Sequence, residues 1–378
     1  ESDEEDSDHF LNANRTHRLP SLSTNKDAHS RPDPMIPDAA RTRFVMYLHI
    51  KMTKLLIALI LGSAAASAQV KIVADKDESR IHVEIGGKPY GDFVVKSDEA
   101  MKPYFYPLRA ASGTVVTRHW PMEKVSALEP VDHQHQRGVW FGPDDVNGFD
   151  FWNNEFSYKT PIRGQIKLNQ IGKITSGKKE GSVAVTFDWL DPKGTKLVEE
   201  SRVMTFHDLP NLRIIDFEID LTAVGNVKFG DGKDCCFGIR LNPQLQEDKV
   251  IKTKGKPNQN VSGPPGVISN AEGKTTEKEV WGKPSDWCDD SGEIDGEKVG
   301  IAIFDNPKNS RRARWHVRGY GLFSANPFGL SAFTGDKTQD GSVSLAAGEK
   351  LHFKYRVVIH PGDAKSADLA KLWSEYVK

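Results

Sequence analysis

"SVAVTFDWLDPKGTKLVEESRVMTF", residues 182–206, is two alternating runs joined by a turn. Val183, Val185, Phe187 and Trp189 occupy every second position of the first run, with small or polar residues between them. Side chains on an extended backbone repeat every two residues, so this pattern turns one apolar face toward a core. Asp191-Pro192-Lys193-Gly194 is turn chemistry: proline presets φ, and glycine accepts the left-handed backbone a tight reversal needs. The stretch predicts a β-hairpin with one buried face.

The same period spreads outward. "RIHVEIGGKPYGDFVV" (80–95) reads as two strands around Gly86-Gly87, and "LRIIDFEIDLTAV" (212–224), "VGIAIFD" (299–305), "SVSLAAG" (342–348) and "KLHFKYRVVIHPG" (350–362) continue it. Alternating Val, Ile and Phe with Gly, Pro, Asp and Asn turns between is the pattern of a sandwich or barrel. A helix is expected only at the end, in "SADLAKLWSEYVK" (366–378), with Ser366 as N-cap and Leu369, Leu372, Trp373 and Tyr376 on one face. Residues 254–275 read as a long loop over the sandwich, since strand-like sequence resumes on both sides. No GxGxxG, Walker loop or regular βαβ alternation occurs, which disfavours a nucleotide fold. The expectation is an all-β, large two-sheet β-sandwich with one C-terminal helix, forming a single domain over residues 69–378.

Residues 1–51 open with "ESDEEDSD" and carry no hydrophobic periodicity, so they read as a disordered, non-native upstream extension. "MTKLLIALILGSAAASA" (52–68) has a basic start at Lys54, an apolar run Leu55–Leu61 and a small-residue end at Ala66-Ser67-Ala68. That is the build of a secretory signal peptide, too short in its apolar part to span a bilayer. A periplasmic or extracellular protein starting at Gln69, with no transmembrane anchor, is expected. Residues 69–378 hold 43 basic and 43 acidic side chains, a balance that argues against a nucleic-acid or anionic-membrane partner. Cys235, Cys236 and Cys288 show no zinc-finger spacing. Adjacent cysteines on a strand face opposite ways, so at most one of the pair should reach Cys288, and three unpaired thiols are the equal alternative.

Four segments concentrate polar and aromatic residues beyond what a sandwich requires. They are residues 103–121, with Tyr104, Tyr106, Arg109, Arg118, His119 and Trp120; 131–154, with His133, His135, Arg137, Asp145, Asn147, Asp150 and Trp152; 279–292, with Trp281, Lys283, Asp286, Trp287 and Asp289; and 313–329, with Arg314, His316, Arg318 and Tyr320. If residues 131–137 are extended, His133, His135 and Arg137 share one face and Asp132 points to the other. Two imidazoles two apart can ligate a metal, yet Arg137 beside them is a fixed positive charge that opposes a divalent cation. Acid/base chemistry is therefore favoured over a metal held by His133 and His135, and no cofactor is expected. His133, His135, His316 and Asp286 are the candidate proton-transfer groups. Arg109, Arg137, Arg318, Tyr320 and Trp287 are the candidate substrate-binding groups, the arginines through bidentate hydrogen bonds and the aromatics through the apolar face of a sugar ring. No GxSxG elbow supports a nucleophilic mechanism.

Six ordered motifs together carry a resemblance: "PYFYPLRAASGTVVTRHWP" (103–121), "DHQHQRGVWFG" (132–142), "DVNGFDFWNN" (145–154), "NAEGKTTEKEVWGKPSDWCDDSG" (270–292), "VGIAIFDNPKN" (299–309) and "RWHVRGYGLFSANPFG" (314–329). Over nearly all of residues 72–376 the chain resembles the secreted bacterial PmoA-like family, labelled "methane oxygenase PmoA", whose biochemical function is unassigned. The resemblance implies that His133, His135, Arg137, His316 and Arg318 occupy the family's characteristic positions. The chain departs from the family at Gly319, where relatives often carry Asp before Tyr-Gly, and at Pro143, where a His often follows Trp-Phe-Gly. The leading expectation is a β-sandwich of the mutarotase-like supersandwich type that binds a carbohydrate or other small polar ligand and acts on it by His/Asp acid-base chemistry, as an isomerase, lyase or hydrolase. A non-catalytic carbohydrate- or partner-binding module is the alternative, and a metal-dependent oxygenase the third reading. Oligomeric state is left open.

Overall fold

The hairpin at residues 182–206 forms as its alternation predicts. Strands Glu180–Leu190 and Lys196–Asp208 pair antiparallel, with Val183 opposite Met204 and Val185 opposite Arg202. The computed structural model describes residues 69–123, 129–251 and 258–378. The expected upstream extension and signal peptide, residues 1–51 and 52–68, lie outside them.

Two eight-stranded antiparallel sheets carry the architecture. The first runs, in spatial order, Val70–Ala74, Arg80–Ile85, Lys88–Val94, Tyr104–Tyr106, Val139–Phe141, Phe237–Arg240, Leu322–Asn326 and Arg314–Arg318. The second runs Val267–Asn270, Trp287–Ile294, Glu297–Asp305, Lys350–Pro361, Arg213–Ala223, Lys196–Asp208, Glu180–Leu190 and Gln165–Thr175. Their inner faces pack through aromatic pairs such as Phe217 with Phe237 at 4.8 Å and Tyr90 with Phe206 at 6.2 Å between ring centroids. This is the two-sheet β-sandwich the alternation called for. One charged pair sits inside it. Glu200 and Arg202 occupy inward positions of their strand, joined by a 2.6 Å hydrogen bond from Arg202 Nε, and Trp189 Nε1 donates to Glu200 at 2.8 Å.

Alternation also fixes what each sheet turns outward. In the first sheet Val139, Phe141, Ile239, Phe323, Trp315 and Val317 join the inner core. Trp140, Arg240, Leu322, His316 and Arg318 therefore project from its outer face. There Trp140, Trp152, Tyr104, Tyr106 and Leu322 form a second cluster with Tyr320 packed against it. On the outer face of the second sheet, Ile214, Trp287, Ala302, Phe304 and Val358 lie under the C-terminal helix Leu369–Tyr376, met by Leu369, Leu372, Trp373 and Tyr376.

Several local expectations need correction. The C-terminal helix takes Asp368 as its N-cap, while Ser366 bonds back to Asp363 in the preceding turn. Two five-residue helices, Thr276–Val280 and Leu330–Thr334, accompany it, each too short to show a period in the sequence. The stretch read as a long loop contains the short strand Gln259–Asn260 and the sheet-edge strand Val267–Asn270. Cys235 and Cys236 are both fully buried, and Cys288 is a buried free thiol hydrogen-bonded to the Ser269 carbonyl. Among the described residues no helix is long and apolar enough to cross a membrane.

Candidate functional site

Residues 131–137 do not form the extended strand that the alternating His, His and Arg suggested. His133 has left-handed backbone (φ 47°), a turn follows at Gln134 and His135, and the strand begins only at Val139. A left-handed conformation at a non-glycine residue costs about 1–3 kcal/mol and persists only where its surroundings over-determine it. Here the surroundings are one buried guanidinium. Arg118 donates to the carbonyls of Pro130, Asp132, His133 and Gln136 and to the Asp132 carboxylate. Gln136 N–H also bonds to the His133 carbonyl at 2.9 Å.

The turn delivers both imidazoles to a half-enclosed cleft of about 320 Å³ on the outer face of the first sheet, small for a ligand pocket. It is lined by His133, His135, Gln136, Trp152, Asn153, Lys233, Asp234, Trp281, His316, Arg318 and Tyr320. His316 and Arg318 arrive from the strand Arg314–Arg318, where the predicted alternation does hold. His133 stacks on Tyr320, ring centroids 5.4 Å apart and planes 2° off parallel, and meets His135 edge-on at 5.8 Å.

The three imidazoles have different surroundings. Burial, together with the nearby Lys102 charge, holds His135 well below its usual range, and its Nδ1 lies 3.1 Å from the Tyr158 hydroxyl. Burial likewise pushes His316 down to about 4, against the pull of Asp234, whose Oδ1 is 3.7 Å from His316 Nδ1. Among the described residues that nitrogen has no hydrogen-bond partner. Burial thus favours the neutral form of both rings, whose unprotonated nitrogen can accept a hydrogen bond. His133 is the exposed one, 42 % open to solvent, with Nδ1 3.2 Å from Asp132 Oδ2. The Asp132 side chain therefore turns toward His133, contrary to the strand-based expectation that it would point away. Burial opposes its ionisation, but the His133 contact and the Arg240 and Arg118 charges hold its carboxyl far below the usual carboxylate range.

Arg137 does not line the cleft. It is buried with its Nε and Nη2 on the Glu155 carboxylate at 3.0 and 2.7 Å and Nη1 on Glu99 at 3.0 Å. With no strand at 131–137, its side chain leaves the imidazoles and anchors the loop that carries Trp152, Asn153 and Tyr158. Lys102 holds the same loop from beneath, donating to the Trp152 carbonyl and to Asn154. Asp286 also lies elsewhere, in an ion pair with Arg312 at 2.8 Å. Arg109 bonds the Gly113 carbonyl across its own turn. Trp287 lines a separate, more open groove of about 460 Å³ beside the C-terminal helix. That groove is larger, but it contains no histidine, and converging titratable groups mark the smaller cleft as the reactive candidate. The segment 231–240, "DGKDCCFGIR", supplies Lys233, Asp234 and Arg240, none of which the sequence reading singled out. An arginine inside the apolar strand Phe237–Arg240 was the available clue.

At Gly319 the Asp248 carboxylate occupies the space a side chain would need, its carbon 2.9 Å from where a Cβ would sit. Among the described residues no group of three or more His, Cys, Asp or Glu side chains converges as a metal-ligand set.

No curated protein matches the chain by sequence. Solved structures similar to it include a galactose mutarotase-like protein from Lactobacillus casei ATCC 334, 8 % identical over 77 % of this chain and 100 % of that one, with a TM-score of 0.32. A galactose mutarotase related enzyme from Lactobacillus acidophilus is 10 % identical over 78 % of this chain and 98 % of that one, with a TM-score of 0.31. A GH36 alpha-galactosidase from Geobacillus stearothermophilus is 8 % identical over 79 % of this chain and 42 % of that one, with a TM-score of 0.37. By sequence, the model of a family of unknown function, DUF6807, matches residues 80–374, and the chain belongs to that family.

Proposed function

We propose that the cleft binds a carbohydrate and acts on it by proton transfer through its imidazoles. The observation that carries this reading is the meeting of His133, His135 and His316, from segments some 180 positions apart, in one cleft with aromatic walls. Trp281, partly exposed in the cleft wall, offers a flat apolar surface that suits a pyranose ring. Gln136, Asn153, Lys233, Asp234 and Arg318 offer donors and acceptors for its hydroxyls. Neutral imidazoles beside one paired with a carboxylate form a set of groups whose environments differ, as acid/base chemistry near neutrality requires. Arg318 is held by Glu277 at 2.9 Å, so its charge is already balanced and its free N–H groups serve as neutral-ligand donors.

The test is a panel of monosaccharides and oligosaccharides offered to the purified protein, with binding read by calorimetry and conversion by NMR, in the presence and absence of chelator. At least one sugar should bind, binding or conversion should fall at least tenfold in His133→Ala and His316→Ala, and chelator should change neither. If no sugar binds, or binding survives both substitutions, the reading is wrong. Binding without conversion leaves a recognition module, and loss of activity on chelation promotes a metal-dependent reaction such as the oxygenase label implies.

A further inference from the structure

We propose that Asp132 is a positioning residue that locks His133 in its Nδ1–H tautomer, which makes His133 the imidazole that takes a proton from the ligand. The inference rests on the proton-transfer reading above. Among the described residues His133 is the one cleft imidazole with a carboxylate oxygen closer than about 3.5 Å, an ion-pair contact of 3.2 Å between Nδ1 and Asp132 Oδ2. His316 stands 3.7 Å from Asp234, and His135 faces a hydroxyl. A ring that becomes a cation needs an anion to stabilise it, and a carboxylate on Nδ1 both supplies that charge and leaves the Nε2 lone pair to act as base.

The geometry around Asp132 leaves it little choice. Its Oδ1 accepts from Arg118 Nη1 at 2.8 Å and from Arg240 Nη2 at 2.9 Å, and both guanidiniums are fully buried. Oδ2 is the oxygen left over, and it faces His133. The ring is fixed from its other side by Tyr320, which stacks on it and itself lies 4.6 Å from the Arg240 guanidinium. Arg118 also holds the His133 carbonyl at 3.0 Å, so backbone, ring plane and partner are set by one connected group of side chains. In the reaction, a ligand proton moves to His133 Nε2, the electron pair stays on the ligand, and the imidazolium is balanced by Asp132, which keeps its charge because two guanidiniums bind it.

Asp132→Asn inverts this arrangement without changing its shape. The carboxamide oxygen has to stay on the two arginines, so its NH2 faces His133 Nδ1 and can only donate, which forces the Nε2–H tautomer. Long-range 1H–15N correlation spectra of the full chain read the tautomer directly, with His133 assigned by its loss in His133→Gln. The expected result is Nδ1–H in the wild type and Nε2–H in Asp132→Asn, read under conditions where the variant is folded, since loss of the carboxylate beside two buried guanidiniums lowers its urea midpoint. Nε2–H in the wild type overturns the proposal, and that measurement stands even if the variant does not fold. An unaltered tautomer in a folded Asp132→Asn overturns it as well. Once a converted sugar is known, kcat in Asp132→Asn should fall about 10²–10⁴-fold with KM little changed, as for a misoriented base. If no sugar binds yet the tautomer is as expected, the carbohydrate reading fails and the positioning stands; conversion with the wrong tautomer is the reverse.

Discussion

Arg137 reached the structure as an anchor, and its surroundings say how strongly. Its side chain and that of Glu155 are both at most 1 % exposed, joined by two hydrogen bonds, with Glu99 as an exposed third member. Removing one partner of a buried pair leaves an uncompensated charge, which typically destabilises by about 3–5 kcal/mol. Arg137→Ala should therefore lower the urea midpoint by an amount equivalent to about 3–5 kcal/mol. A paired Arg137→Met/Glu155→Leu variant should recover much of that loss, because neither charge is then left buried. If Arg137→Ala keeps wild-type stability and loses only ligand binding, the residue acts at the cleft after all. His133 and Arg137 lie four positions apart in one motif, but only the tertiary surroundings separate a cleft residue from a buttress.

At the scale of the elements, strands Trp287–Ile294, Glu297–Asp305 and Lys350–Pro361 make a cross-strand device on the outer face of the second sheet. His360 lies opposite Gly300 and reaches over it to Asp289 on the next strand, Nε2 to Oδ1 at 2.9 Å. Glycine is required there, since a Cβ at 300 would sit 2.3 Å from His360 Cε1. Burial opposes the charge on His360, but the Asp289 hydrogen bond and charge win and raise its pKa. A histidine whose folded pKa lies above the unfolded value of about 6.5 contributes stability that is complete below that value and is lost as pH rises through the folded pKa. His360→Gln should thus destabilise most at about pH 6 and progressively less toward about pH 9, measured as the gap between wild-type and variant urea midpoints. A gap that widens with pH would reverse the sign of the assignment. The same scale shows where periodicity misleads: "HQHQR" alternates as a strand does, yet Arg118 gathers the carbonyls of that stretch into a turn, and a pattern of side chains cannot report a carbonyl acceptor.

Over the whole molecule, the inner faces of the sheets make the core, and the two outer faces do separate jobs. The first sheet's outer face carries the cleft, while part of the second's is covered by the C-terminal helix through Leu369, which is fully buried in a cluster with Ile214, Trp287 and Val358. Truncating a fully buried leucine to alanine costs about 2–5 kcal/mol. Leu369→Ala should lower stability by that amount while leaving ligand affinity of the folded protein within about twofold, since well-separated sites act additively. A large drop in affinity at full stability would mean the two faces are coupled through the core.

How much of this was legible beforehand follows from the range of each interaction. Alternation in segments such as 182–206 and 350–362 determined the strands, the buried faces and the all-β class, because a two-residue period is a property of the local backbone. It also placed His316, Arg318 and Tyr320 with the first histidine pair as candidates worth testing together. Glu200 and Arg202, inward in that same hairpin, were hidden because a buried ion pair reads as polar surface until its partners are seen. Asp286, Arg109 and Trp287 were drawn from segments rich in polar and aromatic residues, and the fold sends them to other surfaces. Only the tertiary structure brought Lys233, Asp234 and Arg240 beside the imidazoles and gave Asp132 to His133. Lys233, Asp234 and Arg240 lie about eighty to a hundred positions from the histidines they meet. Asp132 adjoins His133 but faces it only through the turn that Arg118 holds. The desolvation and neighbouring charge that act on each group exist only once the sheets have closed around it.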